Sequence, residues 1–144
     1  MKVIKIAHVP PPRVSENASV LDTVRTMRRA KSGACVVLDN NKLAGIFSER
    51  DLMLRVVAEE LDPNKTAVRE VMTTSLETLT TEAESSEALE LMVSRHIRHL
   101  PIVEKDGSLA GLLSVRNFLR HHAEDLGDQL NSLEAYFTAD GPGG

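Results

Sequence analysis

The sequence predicts an α/β (α+β) fold in which two helix–strand–strand–helix repeats pack sheet to sheet with pseudo-two-fold symmetry. Three observations support this prediction: one set of motifs occurs twice, each copy holds two short apolar runs at hairpin distance, and a helical apolar period precedes them. The runs are nearly continuous in apolar residues, which is typical of strands covered on both faces. One copy is too small to bury such a sheet, whereas two copies bury it together.

The internal repeat is traced by three matching segments. After the second, one residue is inserted in a turn, where insertions are tolerated. The matches are Met27 with Met92, Val36-Val37-Leu38 with Pro101-Ile102-Val103, and Leu43-Ala44-Gly45 with Leu109-Ala110-Gly111. Ser48 then aligns with Ser114, and each serine is expected to begin a second helix, which carries Leu52, Val56 and Val57 in the first copy.

Each copy should begin with a helix followed by two strands. In the first copy, residues 19–22 resemble a capping box, and Val20, Val24 and Met27 then fall on one helical face. The predicted strands are residues 34–38 and 43–47 in the first copy, and 100–103 and 109–113 in the second.

The pattern divides the chain into four parts. These are a first repeat with its N-terminal lead-in (1–62), a connector (63–75), a second repeat (76–125), and a C-terminal helix extension with a tail (126–144). Residues 68–73 should form a short turn of helix, and the Gly- and Pro-rich residues 141–144 should be disordered.

An apolar stripe at spacings of three and four marks the last predicted helix. It consists of Leu119, Ala123, Leu126, Leu130, Leu133 and Phe137. The stripe packs either on the body of the chain or on a second subunit, and the sequence leaves both open.

The bulk composition argues against several classes of protein. A net charge of −4 without a long run of one sign disfavours a nucleic-acid binder and a polybasic membrane anchor. No stretch approaches the roughly 20 apolar residues of a membrane helix, and the N-terminus lacks a signal-peptide core. With Cys35 as the only cysteine, no intramolecular disulfide forms, so we expect a cytoplasmic protein.

The two strand-to-helix corners are the segments whose residues suit ligand binding. In each, a strand ends at a serine that opens a helix, with Asp51 or Asn117 one turn further on. A helix N-terminus offers free N–H groups to an anion, and a carboxylate can accept from the two hydroxyls of a ribose. The alternative is a plain capping box that stabilises the helix and binds nothing.

With these motifs in place, the chain resembles a tandem pair of cystathionine-β-synthase (CBS) domains, a Bateman module, of the stand-alone bacterial type. The resemblance covers roughly residues 5–125. It is carried by residues 45–52 (GIFSERDL), 68–73 (VREVMT), 97–103 (IRHLPIV) and 109–114 (LAGLLS).

This resemblance implies a non-enzymatic, energy-sensing regulatory module. By this resemblance it would bind AMP, ADP, ATP or another adenosyl ligand, such as NAD or S-adenosylmethionine, in clefts between the repeats. Asp51 and Asn117 would hold the ribose, and Ser48 and Ser114 would lie by the phosphate. The other implied contacts are Arg50, Arg98 and Arg116 as charge partners, His99 and Pro101 beside one base, and Ser15 and Thr80 near a phosphate.

Because Asn117 replaces the acid, the cleft containing Asp51 is the expected one if only one is used. By analogy we expect a homodimer, no nucleic-acid or membrane partner, and no catalytic residues. The histidine pairs His96/His99 and His121/His122 lack converging acidic or thiolate ligands in the sequence, so no metal is expected. The alternative function is a ligand-free dimerisation scaffold.

Overall fold

The computed structural model describes residues 1–139, with the side chains of 128–130 and 132–139 excluded, and it contains two three-stranded sheets. The predicted disorder of residues 141–144 and the predicted packing of Leu130, Leu133 and Phe137 lie outside the described part. The strands are β1 (Arg13–Ser15), β2 (Ala34–Asp39), β3 (Lys42–Ser48), β4 (Leu79–Thr80), β5 (His99–Val103) and β6 (Leu109–Ser114). The α-helices are α1 (Val20–Ala30), α2 (Glu49–Asp51), α3 (Ser85–Arg95) and α4 (Val115–Ala139).

The two sheets have the same topology. In each, a short first strand lies parallel to the second, and the second pairs with the third as an antiparallel hairpin. The four predicted strands are confirmed to within a residue at either end. The sequence placed β1 and β4 in lead-ins, because strands of three and two residues are too short to show a period.

Helix ends follow the local chemistry of the chain. The Oγ of Ser19 accepts the Asp22 N–H at 3.0 Å, which caps α1 as predicted. α2 continues as a π-helix over Leu52–Val57, in which the Ala58 N–H bonds to the Met53 carbonyl. This wider turn was not predicted; it buries Val56 and leaves Val57 64% exposed, so the two do not share a buried face.

The core is divided into three apolar clusters. One lies inside each repeat, around Phe47 in the first and Leu100 in the second. The third lies between the sheets, where Val36 and Ile46 of the first repeat meet Leu112 of the second. This third cluster confirms that the repeats pack sheet to sheet.

The segments that lead into the repeats are exchanged between them. Val3 is fully buried in the core of the second repeat, whereas Val68 and Val71 are buried in the core of the first. A short 3-10 turn at Val68–Glu70 agrees with the predicted turn of helix. The division into parts 1–62 and 63–75 that was predicted from the sequence therefore does not follow the division of the core. Position along the chain does not reveal which core a lead-in enters.

The C-terminal helix is continuous. α4 begins at Val115 and runs to Ala139, across the predicted boundary between 125 and 126. Leu119, Ala123 and Leu126 are exposed, so this first half of the apolar stripe does not pack on the body of the chain. Within the described residues, no helix is long and apolar enough to cross a membrane.

Candidate ligand-binding cleft

A cleft of about 1000 Å³ lies between the two repeats beside the second strand-to-helix corner. The second repeat contributes Arg98 and His99 at the start of β5, together with the corner residues 114–117. The first repeat contributes Gly33 and Glu49. The exchanged N-terminal segment, residues 5–9, and the first turns of α4 complete the walls.

The second corner has one amide group that no described residue binds. The Asn117 Oδ1 accepts the Ser114 backbone N–H at 2.8 Å and the Ser114 Oγ–H at 3.0 Å, and the Asn117 N–H donates to the Ser114 Oγ at 3.1 Å. A backbone N–H requires an oxygen acceptor, so the Nδ2 of Asn117 is the outward group. It makes no hydrogen bond within the described part of the chain and is available to a ligand oxygen.

The lining of the cleft is strongly basic. Among the described residues that line it, two are acids, Glu49 and Glu124, and five are cations, although the whole chain carries a net charge of −4. The cations are Lys5, Lys31, Arg98, Arg116 and Arg120. None of these five makes an ion pair with any residue that the structure describes, so their charge is available to an anion.

His99 lies at the base of the cleft, close to Glu49 of the other repeat. A Cβ placed on Gly33 would lie 3.0 Å from the Glu49 Oε1 and 3.7 Å from the His99 Nε2, so glycine allows this close approach. Burial holds the pKa of His99 below its ordinary value; Glu49 opposes this shift and Arg98 adds to it. The imidazole is therefore neutral near pH 7 and can both donate and accept.

The first corner is closed by residues of the chain itself. Asp51 is only 6% exposed, and its Oδ2 accepts the Ser48 N–H and Oγ–H at 3.0 and 3.1 Å. The Oδ1 accepts the Thr73 hydroxyl at 3.1 Å and lies 3.6 Å from the Arg55 Nε. Both oxygens of the carboxylate are thus engaged, and the geometry does not favour the Asp51 cleft that the sequence preferred.

The structure gathers part of the predicted set in the open cleft. Those that line it are Arg98, His99, Ser114, Arg116 and Asn117, and those outside its lining are Ser15, Ser48, Arg50, Asp51, Thr80 and Pro101. Sequence reasoning missed Lys5, His8, Lys31, Arg120 and His121. Arg50 and Arg116, at the same position of the two repeats, indicated that the corners carry positive charge. No sequence pattern showed that the N-terminal segment crosses to the second repeat.

A smaller hollow of about 450 Å³ adjoins the cleft and shares Lys31, Gly33 and Arg116 with it. Its remaining walls include the apolar side chains of Val24, Met27 and Leu52 from α1 and the helix after β3. An apolar hollow beside a basic cleft suits a ligand that is flat and apolar at one end and anionic at the other.

Two other features of the sequence, the single cysteine and the histidine pairs, bear on reactivity and on metal binding. Burial raises the pKa of the Cys35 thiol to about 12, which keeps the thiol protonated and unreactive near neutral pH. Among the residues that the structure describes, no three His, Cys, Asp or Glu side chains converge as a metal site.

Known proteins resemble the chain in both sequence and structure. A CBS domain-containing protein of Arabidopsis thaliana, CBSCBSPB1, is 36% identical over 103 residues, 72% of this chain and 19% of that protein. An uncharacterized 17.7 kDa protein of Acidianus ambivalens is 31% identical over 120 residues, 83% of this chain and 71% of that protein. The chain thus spans about a fifth of the plant relative.

Two solved structures share the fold at moderate identity. A putative signal-transduction protein with CBS domains from Burkholderia ambifaria is 30% identical, with a TM-score of 0.76 over 87% of this chain and 96% of that one. The CBS domain protein PAE2072 of Pyrobaculum aerophilum, solved in complex with AMP, is 26% identical, with a TM-score of 0.73 over 81% and 89%.

The family model of the CBS domain matches the chain twice, over residues 3–58 and 68–124. These two matches coincide with the two sheets and their helices. The chain therefore belongs to the CBS domain family and is a regulatory module built from a pair of these domains.

Proposed function

We propose that the chain is a non-enzymatic, cytoplasmic sensor that binds one adenine nucleotide, AMP, ADP or ATP, in the cleft beside Asn117. The observation that carries this proposal is that five cations line one cleft of an acidic chain without an ion-pair partner among the described residues. Such a site attracts a polyanion. The AMP complex of the Pyrobaculum protein supports an adenosyl ligand as the chemical class.

The proposed contacts follow from the free groups in the cleft. The Asn117 Nδ2 donates to a ribose or phosphate oxygen, while Arg98 and Arg116 bind the phosphates through charge-assisted hydrogen bonds. Neutral His99 lies beside the base and can exchange hydrogen bonds with it. The adjoining hollow near Met27 accommodates an apolar face of the base or ribose.

Titration calorimetry with AMP, ADP and ATP tests the proposal. We expect Arg116→Ala to weaken binding about 10- to 100-fold, because a hydrogen bond to a charged group contributes about 1.5–3 kcal/mol. The matched control is Arg50→Ala, which removes the residue at the same position of the first repeat and should leave affinity unchanged.

Failure of the wild-type protein to bind any of the three nucleotides would reject the proposal. Equal losses in Arg50→Ala and Arg116→Ala would reject the choice of cleft but retain a nucleotide site elsewhere.

A second proposed property is self-association as a homodimer. Leu119 and Met53 occupy equivalent positions in the two repeats, and their side chains are 64% and 57% exposed. Leu126, 50% exposed, extends the same stripe along α4. Large apolar side chains exposed on a protein surface are typical of an interface, and a second copy of the chain offers the same side chains in return.

A further inference from the structure

Two histidines of the cleft occupy positions that have a defined role in the first repeat. His8 makes the same pair of backbone hydrogen bonds with Leu112 that Thr73 makes with Ile46. Both His8 and His121 line the cleft and are half-buried.

His121 aligns with Arg55 when the repeats are continued without a gap from their corner serines. His8 and His121 are thus the counterparts of Thr73 and Arg55, the two side chains that engage the free oxygen of Asp51 in the closed corner.

The second corner lacks the carboxylate oxygen that the first corner offers to Thr73 and Arg55. Where Asp51 presents an oxygen acceptor, Asn117 presents the donor Nδ2, so the second corner has no counterpart of the oxygen that Thr73 and Arg55 engage. Within the described part of the chain, neither imidazole makes a side-chain hydrogen bond or an ion pair. The Asn117 amide and the two imidazoles therefore each keep a hydrogen-bond donor free in the same cleft.

We infer that His8 and His121 donate hydrogen bonds to the phosphates of the bound nucleotide, and that binding takes up protons. This inference rests on the proposed nucleotide site and assigns two further binding residues to it. Histidine side chains change charge between about pH 5 and 8, and a phosphate favours their charged form.

Several charged groups line the same cleft as the two histidines. The cations that face them come from every wall, namely Lys5, Lys31, Arg98, Arg116 and Arg120. The acids are Glu49 and Glu124, and His99 is a third titratable imidazole in the same space. The negative charge of a bound polyphosphate exceeds the excess positive charge of the lining. Protonated histidines should therefore bind it more strongly, and the affinity for ATP should rise as the pH falls.

The test is calorimetric titration with ATP at pH 6, 7 and 8, in buffers of different ionisation enthalpy, which counts the protons taken up. At pH 6 we expect His8→Gln and His121→Gln each to weaken ATP binding about tenfold or more, the loss typical of a charge-assisted hydrogen bond. Each variant should also take up fewer protons than the wild type. Titration of the ATP phosphate is common to all samples and cancels.

His122→Gln is the matched control, because His122 adjoins His121 but is exposed and lies outside the lining of the cleft. Wild-type affinity and proton uptake in both His8→Gln and His121→Gln would overturn the inference while leaving the nucleotide site intact. Absence of ATP binding by the wild type would instead remove the proposed function on which it rests. Because His121 lies on a helix surface, its variant stays informative if His8→Gln disturbs the fold.

Discussion

At the scale of single residues, the two strand-to-helix corners differ chiefly in Asp51 and Asn117. Both side chains accept the N–H and Oγ–H of the serine that caps the helix, so each completes a capping box. The second oxygen of Asp51 also binds Thr73 and Arg55, whereas the amide nitrogen of Asn117 points to the cleft. Both corners are thus capped, and the Asn117 corner also keeps one polar group free for a ligand.

The first prediction follows from this difference. Asp51→Ala should lower the free energy of unfolding by about 3 kcal/mol, since it removes a cap worth about 1 kcal/mol and a hydrogen bond to a buried charge. Asn117→Ala removes only the cap and should lower it by about 1 kcal/mol. Urea unfolding of both variants without nucleotide, followed by circular dichroism, measures the difference; equal losses would contradict a structural role for Asp51.

At the scale of secondary-structure elements, two glycines have opposite surroundings: Gly45 is closely packed and Gly127 is not. A Cβ on Gly45 in β3 would lie 2.7 Å from the Met72 Sδ and 2.8 Å from the Thr73 carbonyl oxygen. Glycine thus allows the lead-in of the second repeat to pair with β3. Gly127 lies within α4, and a Cβ there would meet nothing within 4 Å.

Gly127→Ala should therefore stabilise α4 by about 0.5–1 kcal/mol, because alanine loses less backbone entropy in a helix and meets no obstacle. The expected result is a higher helical signal at 222 nm and a higher urea midpoint. The contrasting control is Gly45→Ala, which should destabilise the protein by about 1–3 kcal/mol through overpacking. A lower midpoint in Gly127→Ala would show that α4 is not continuous there.

At the scale of the whole molecule, the exchanged lead-ins join the two repeats into one body. The N-terminal segment places Val3 in the core of the second repeat and lines the cleft with His8, while the connector places Val68 in the core of the first. A ligand in the cleft therefore touches both repeats and the segment that ties them together. Ligand binding at such a site can alter how the repeats, or two copies of the chain, pack.

The proposed homodimer gives a prediction at this scale. Leu119→Glu should shift the protein from dimer to monomer, because a charge would be buried in an apolar interface. Sedimentation velocity across a range of concentrations measures the state. Ser75→Glu adds the same charge at an exposed loop position and should leave the dimer intact. A monomeric wild type would contradict the proposed interface.

The sequence alone determined the duplicated fold, the four long strands and the capped corners, because each depends on local periods and on residues a few positions apart. It also singled out Ser114, Arg116 and Asn117, which lie in one contiguous motif and which the structure places in the lining of the cleft. It could not show the strands β1 and β4, which are too short to carry a period.

Only the tertiary structure decided which cleft is open. That outcome depends on contacts between residues far apart in the chain, such as Thr73 with Asp51 and His8 with Leu112. The sequence favoured the corner with the acid because a carboxylate suits a ribose, but packing engages both oxygens of that carboxylate within the protein. The same packing leaves the amide of Asn117 and its basic neighbours without partners, which is the physical reason that the second corner is the binding site we propose.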